Sequence, residues 1–116
     1  MIANDPYAEL ERRFARLSDI GRAAAILNWD RSTMMPDGAS GDRADQLATL
    51  GVIAHEIISA PEMPDLLSRA EEGRAALDRW QAANLREMRR SWVHESALPS
   101  DLVEARTRAC SACELA

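Results

Sequence analysis

Aromatic residues and cysteine are scarce in this sequence, and lysine is absent. Only 4% of the 116 residues are aromatic although 47% are hydrophobic, which favours helices packed closely through aliphatic and small side chains. Two cysteines cannot supply the four thiolate ligands of a Cys₄ zinc site. The 14 basic residues are all arginine, and the net charge of −5 argues against a surface that binds nucleic acid.

Long apolar runs and targeting segments are missing too. No apolar run reaches the ~20 residues needed to span a bilayer. Residues 1–6 lack the basic and apolar blocks of a signal peptide. We therefore expect a cytoplasmic protein that does not bind membranes. A length of 116 residues suits a single domain, 1–116, with a modest core.

The spacing of the apolar residues predicts an all-α array of four to five helices. Asp5 and Pro6 are suited to the N-cap and the first position of the first helix, whose apolar stripe continues to about Asp30. Further helices are predicted from Ser40 or Asp42, over 64–72, over about 74–95, and after Ser100. Short turns marked by proline separate them, so we expect mostly antiparallel neighbours.

The first and last helices carry predictions about packing. Gly21 lies in the apolar stripe of the first helix and allows another helix to approach closely. The last helix has no stop signal before Ala116, so we expect the surface it packs against to be missing from this chain. Self-association is predicted, as a symmetric dimer through the helices after Gly73. The predicted inward face of the last helix consists of Leu102, Val103, Ala109, Cys110 and Cys113.

Two histidines begin incomplete copies of the HExxH zinc motif. That motif needs a second histidine four residues after the first, and here Ser59 follows His55 and Leu98 follows His94 at that distance. A histidine and its neighbouring glutamate lie about 100° apart on a helix and cannot chelate a metal from one face. We therefore interpret both histidines as partly exposed helix residues.

The pair Cys110 and Cys113 forms a CxxC pattern. Redox motifs of this type follow a strand at the start of a helix, where the helix dipole lowers the pKa of the thiol. Here the pair is predicted to lie well inside a helix, which favours buried reduced thiols. A metal shared with a partner and an intermolecular disulfide remain alternatives.

The segment 26–48 carries the most specific pattern in the chain. It contains Leu27-Asn28-Trp29-Asp30, then Thr33-Met34-Met35-Pro36, a turn at Gly38-Ala39-Ser40-Gly41, and Arg43-Ala44-Asp45-Gln46-Leu47-Ala48. In order, spacing and residue type it resembles the amino-terminal region of the Taq-type metallocarboxypeptidases. The family more often has consecutive glycines in the turn. Similarity continues more weakly through His55-Glu56, the helix 84–90 and the segment 98–104.

The resemblance implies an amino-terminal cap of a larger helical metallopeptidase. Such proteins remove residues one at a time from peptide C-termini, use zinc or cobalt, contain a deep groove and are usually homodimers. The family's HExxH ligands, its third metal-binding glutamate and its carboxylate-binding residues lie downstream of the matched region. No catalytic residue and no metal ligand can therefore be assigned here, and we expect the chain to bind no metal cofactor and to be inactive alone.

The corner between the first two helices has a structural and a functional interpretation. Structurally, Arg43 is predicted to reach back to Asp30 as an ion pair, and Trp29 to fill the core. The alternatives are a wall of the substrate groove, an apolar peptide-binding surface, or a cation site formed by Asp30, Asp37 and Asp42, although EF-hand spacing is absent. The corner residues are Asn28, Trp29, Asp30, Thr33, Met34, Met35, Pro36 and Arg43.

Two functional hypotheses follow. The first is the amino-terminal portion of a metal-dependent carboxypeptidase, whose peptide substrate would bind only to the full-length protein. The second is a free-standing helical module for protein interaction or dimerisation, without enzymatic activity.

Overall fold

The structure, a computed structural model, describes residues 5–115. Within this range the chain forms five α-helices and no strand, so the predicted all-α fold is confirmed. The helices are α1 (Pro6–Thr33), α2 (Ser40–Ile58), α3 (Met63–Glu72), α4 (Arg79–Glu95) and α5 (Ser100–Leu115), and short 3-10 turns lie at Asp37–Ala39 and Arg74–Ala76. No helix among the described residues is long and apolar enough to cross a bilayer. The predicted helix end at Ala116 lies outside the described residues.

Helix α1 begins where the sequence predicts and ends later. The Asp5 side chain accepts a hydrogen bond from the Tyr7 amide at 3.1 Å, as expected of an N-cap. The predicted end near Asp30 is wrong by about one turn, because Pro36 restrains only the residue directly before it. The helix therefore continues to Thr33, which places Asp30 inside its last turn.

Helix α4 begins at Arg79 rather than near residue 74. The cause is a capping box: Asp78 accepts from the Gln81 amide at 2.8 Å, and the Gln81 side chain accepts from the Asp78 amide at 3.0 Å. Residues 74–76 before it form a separate 3-10 turn.

The hydrophobic core lies where the first half of α1 meets α3 and α4. Its largest fully buried apolar side chains are Leu10, Met63 and Leu67. Phe14, Leu77 and Trp92 pack against it while remaining partly exposed. The remaining buried members are Tyr7, Leu66, Ala70, Leu85 and Met88.

Helices α2 and α5 form a second packing region, and they run antiparallel. Arg108 Nη1 lies 2.6 Å from Asp45 Oδ1 near one end of the pair, and His55 contacts Ser100 near the other. Gly51 faces α5, and an added Cβ there would lie 3.5 Å from Thr107 Oγ1. The predicted close approach at Gly21 is wrong, because no described atom would lie within 4 Å of a Cβ there.

The buried face of α5 differs from the predicted one. Val103 and Ser111 are buried and Thr107 is half-buried, whereas Leu102 is 48% exposed. The buried face repeats every four residues and includes two polar ones. Ser111 accepts a hydrogen bond from Arg31 on α1, and the Thr107 hydroxyl donates to the Val103 carbonyl of α5 itself. The other residues predicted to face inward, Ala109, Cys110 and Cys113, are exposed, which also corrects the prediction of buried thiols.

Candidate functional site

The corner between α1 and α2 is a tight backbone turn. The amides of Met34 and Met35 both donate to the Asp30 carbonyl oxygen at 2.9 Å, which closes the last turn of α1. Pro36 then takes an extended conformation, with φ −65° and ψ 148°, and its carbonyl accepts from the Ala39 amide at 2.9 Å. The proline turns the chain into α2 because it cannot continue the first helix.

The ion pair predicted between Asp30 and Arg43 is present. Arg43 Nη2 lies 2.5 Å from Asp30 Oδ2, and the two side chains are 18% and 30% exposed respectively. Arg43 Nη1 also donates to Gln46 Oε1 at 2.9 Å. The guanidinium thus joins the last turn of α1 to the first turns of α2, and little water reaches it.

A second arginine in this region was not predicted from the sequence. Arg31 Nη1 donates to Ser111 Oγ at 3.0 Å, and its Nη2 donates to Asn28 Oδ1 at 2.8 Å. Arg31 also forms an ion pair with Glu114, and its side chain is only 10% exposed. Ser111 and Glu114 lie three residues apart and share a helix face. This polar pair was the sequence feature from which a charged partner for α5 could have been predicted.

The apolar residues of the corner are mostly on the surface. Trp29 is 59% exposed and Met34 is 72% exposed, so the prediction that Trp29 fills the core is wrong. Trp29 and Ile26 lie three residues apart on one face of α1, and both are mostly exposed. Met35 is half-buried, whereas Thr33 and Pro36 are exposed.

The described residues do not form a metal centre. Within residues 5–115, no three His, Cys, Asp or Glu side chains come together as a group that could hold a metal ion. Asp30 is engaged by Arg43, while Asp37 and Asp42 are exposed and do not join it. The corner is therefore held by ion pairs. It presents a surface of fixed shape and contains no reactive group.

His55 is buried, which corrects the prediction of a partly exposed residue; His94 is exposed. The cause is the start of α5, which packs over the end of α2: His55 Nδ1 lies 2.9 Å from Ser100 Oγ. His55 Nε2 has no hydrogen-bond partner among the described residues. The imidazole lines a cavity of about 460 Å³ between α1, α2, α4 and α5.

Comparison with known proteins identifies the family. The family model described as carboxypeptidase Taq (M32) metallopeptidase matches residues 9–116. The chain belongs to this family. The resemblance predicted from the segment 26–48 is thereby confirmed.

Two curated relatives of the M32 chain are both named thermostable carboxypeptidase 1. The protein from Thermus thermophilus is 31% identical over 96 residues, which cover 81% of this chain and 18% of the relative. The protein from Pyrococcus furiosus is 26% identical over 100 residues, which cover 86% and 20% respectively. The chain therefore spans about a fifth of the length of these relatives.

A solved structure supports the same assignment. Trypanosoma cruzi metallocarboxypeptidase 1 is similar with a TM-score of 0.81 and 42% sequence identity, over 88% of this chain and 20% of that protein. The five helices thus resemble part of a larger metallocarboxypeptidase.

Proposed function

We propose that this chain is the amino-terminal helical portion of a metal-dependent carboxypeptidase that removes C-terminal residues from peptides. The observation that carries the proposal is the family match over residues 9–116. The similarity to a metallocarboxypeptidase structure at 42% identity agrees with it. In the complete protein, zinc or cobalt would activate water at residues outside this chain.

The contribution of this chain is to form part of the wall of the substrate groove. Trp29 and Met34 are exposed beside a corner that two arginines hold in place. Apolar side chains on a fixed backbone are suited to contact varied peptide side chains. We also propose a cytoplasmic homodimer as the full-length form.

The proposal is tested with a chimera. The stretch of the Thermus relative that aligns with this chain is replaced by this chain, and release of C-terminal amino acids from a peptide is measured with and without a chelator. We expect activity that the chelator abolishes. A folded chimera without activity, made from an active parent, would contradict the proposal.

The isolated chain is the matching control. We expect no release of amino acids when zinc or cobalt is added, because no two histidines here have the spacing of a helical chelating pair. Hydrolysis by the purified chain that a chelator stops would show that it carries a complete site.

A free-standing interaction module is the second candidate. The observation that favours it is the exposure of large apolar side chains, including Trp80 at 83% and Ile26 at 67%. The DNA that follows the last codon distinguishes the two functions. An in-frame continuation that encodes HExxH supports the carboxypeptidase, and a stop codon supports the module.

A further inference from the structure

The cavity beside His55 combines apolar walls with two unpaired charges of opposite sign. Phe14, Leu17, Ile58 and Val103 supply apolar surface from three helices. Glu95 at the end of α4 and Arg106 on α5 line the same cavity. The volume of about 460 Å³ lies within the range of about 300–1,000 Å³ that is usual for small-molecule sites.

Several arginines on this surface are engaged by carboxylates, but neither charged side chain of the cavity is. Arg12, Arg13 and Arg108 each form an ion pair with a carboxylate. Arg106 and Glu95, in contrast, make no side-chain hydrogen bond or ion pair with any described residue. Both are exposed, so the guanidinium and the carboxylate can bind ionic groups without breaking an existing contact.

His55 forms part of the cavity wall and is held in place by Ser100. Its Nε2 is buried and has no hydrogen-bond partner within residues 5–115. Because the ring forms part of the wall, a bound ligand would change its surroundings. The ring therefore reports on occupancy of the cavity.

We propose that this cavity binds a small zwitterion with an apolar side chain, either a free amino acid or a dipeptide. The ligand carboxylate binds Arg106, its ammonium group binds Glu95, and its side chain contacts the apolar wall. The guanidinium and the carboxylate match these two groups by charge. The inference does not rest on the proposed function, because it concerns binding and not hydrolysis.

The test is a titration followed by NMR of the His55 ring resonances, with leucine and Leu-Leu as separate probes. The chain has only two histidines, so a His94→Gln variant assigns the signals. We expect a saturable shift in the millimolar range with one or both probes. The probe that binds with the higher affinity shows whether the site prefers an amino acid or a dipeptide. Leucinamide and acetyl-leucine, which each lack one charge, should bind more weakly.

Matched variants locate the site. Arg106→Gln and Glu95→Gln should each weaken binding about fivefold, the upper range for an exposed ion pair, and together should abolish saturation. Arg86→Gln and Glu56→Gln change exposed residues outside the cavity and should leave the midpoint unchanged. The absence of a saturable shift with both probes, or an unchanged midpoint in the double variant, would overturn the proposal. Circular dichroism checks that each variant keeps its helix content.

Discussion

Asp30 and Arg31 are neighbours in the sequence, yet they hold different helices. Asp30 bonds Arg43 on α2, and Arg31 bonds Ser111 on α5. Successive side chains on a helix point about 100° apart, so one turn of α1 can reach two neighbours. Both contacts involve a charged group with little exposure to water, so loss of either partner would leave a poorly solvated charge without compensation.

We predict that the Asp30 and Arg43 pair stabilises the corner. Asp30→Ala or Arg43→Ala should each cost about 1 to 3 kcal/mol, because either change leaves a half-buried charge unpaired. Urea denaturation of both variants and the double variant gives the coupling energy. The exposed Arg12 and Glu9 pair is the control, with an expected coupling below about 1 kcal/mol. Small, additive losses at Asp30 and Arg43 would show that the two residues do not interact.

A pH dependence is expected at the contact between α3 and α4. Arg89 binds both carboxylate oxygens of Glu71, at 2.6 and 3.1 Å, and these hydrogen bonds hold the pKa of Glu71 below its ordinary value of 4.5. A lowered pKa in the folded state stabilises the protein fully above the unfolded pKa. That contribution is lost as the pH falls through the folded pKa.

The variant Glu71→Gln should therefore lower the free energy of unfolding at pH 7. We expect less than about 1 kcal/mol, because Glu71 and Arg89 are both partly exposed to water. The difference from the wild type should shrink once the pH is well below 4.5. Urea denaturation at both pH values measures it, with Glu72→Gln as an exposed neighbouring control. A difference that does not change with pH would exclude Glu71 as the titrating group.

At the scale of elements, Gly51 places a residue without a side chain where α2 packs against α5. An alanine Cβ at Gly51 would be in ordinary contact with Thr107 and Val103, at 3.5 and 3.9 Å. Larger side chains would have to push α5 away. At Gly21 on α1, no described neighbour restricts the side chain.

This contrast predicts opposite outcomes for leucine at the two glycines. Alanine at either position should stabilise the protein by about 0.5 to 1 kcal/mol, because glycine is unfavourable inside a helix. Gly21→Leu should also be tolerated. Gly51→Leu should be destabilising by about 1 to 3 kcal/mol through overpacking. Thermal melts of the four variants decide the matter; equal melting temperatures for the two leucine variants would mean that α5 does not pack closely on α2.

The helices also show how much of the fold could be predicted from the sequence. Apolar spacing, caps and prolines predicted four to five helices, because these signals are local. The buried face of α5 could not be predicted that way. Thr107 and Ser111 face inward only because Gly51 and Arg31, which are distant in sequence, lie opposite them. At the corner, the pair of Asp30 and Arg43 was predictable because only a short turn separates them, whereas the contact of Arg31 with α5 was not.

At the scale of the whole molecule, the chain measures 53 × 25 × 22 Å and exposes apolar residues along its length. Trp80, Val93 and Leu102, all after Gly73, are 83%, 58% and 48% exposed. Covering such side chains releases ordered water and favours association. The surface of α4 and α5 therefore remains the basis for the proposed dimer.

We predict that the chain self-associates through these helices. Sedimentation at micromolar concentration should detect a dimer under reducing conditions, which exclude disulfides through the exposed cysteines. Trp80→Ser should shift the equilibrium towards monomer. Trp29→Ser, on the exposed face of α1, is the matched control and should leave it unchanged. A wild-type chain that stays monomeric would mean that its helices need no second copy.

The pairing of α2 with α5 has a consequence for the order of folding. Asp45 and Arg108 are 63 residues apart in sequence, so their contact closes a far longer loop than the turn between α1 and α2. Loop closure costs conformational entropy in both regions, since the core contact between Tyr7 and Asn84 spans 77 residues. In the core this cost is offset by eight buried residues, whereas Val103 is the only buried apolar residue of α5 within the described range. Docking of α5 should therefore follow formation of the α1, α3 and α4 core, and in the monomer α5 should detach first. Its backbone amides would then exchange with deuterium sooner than those of α3.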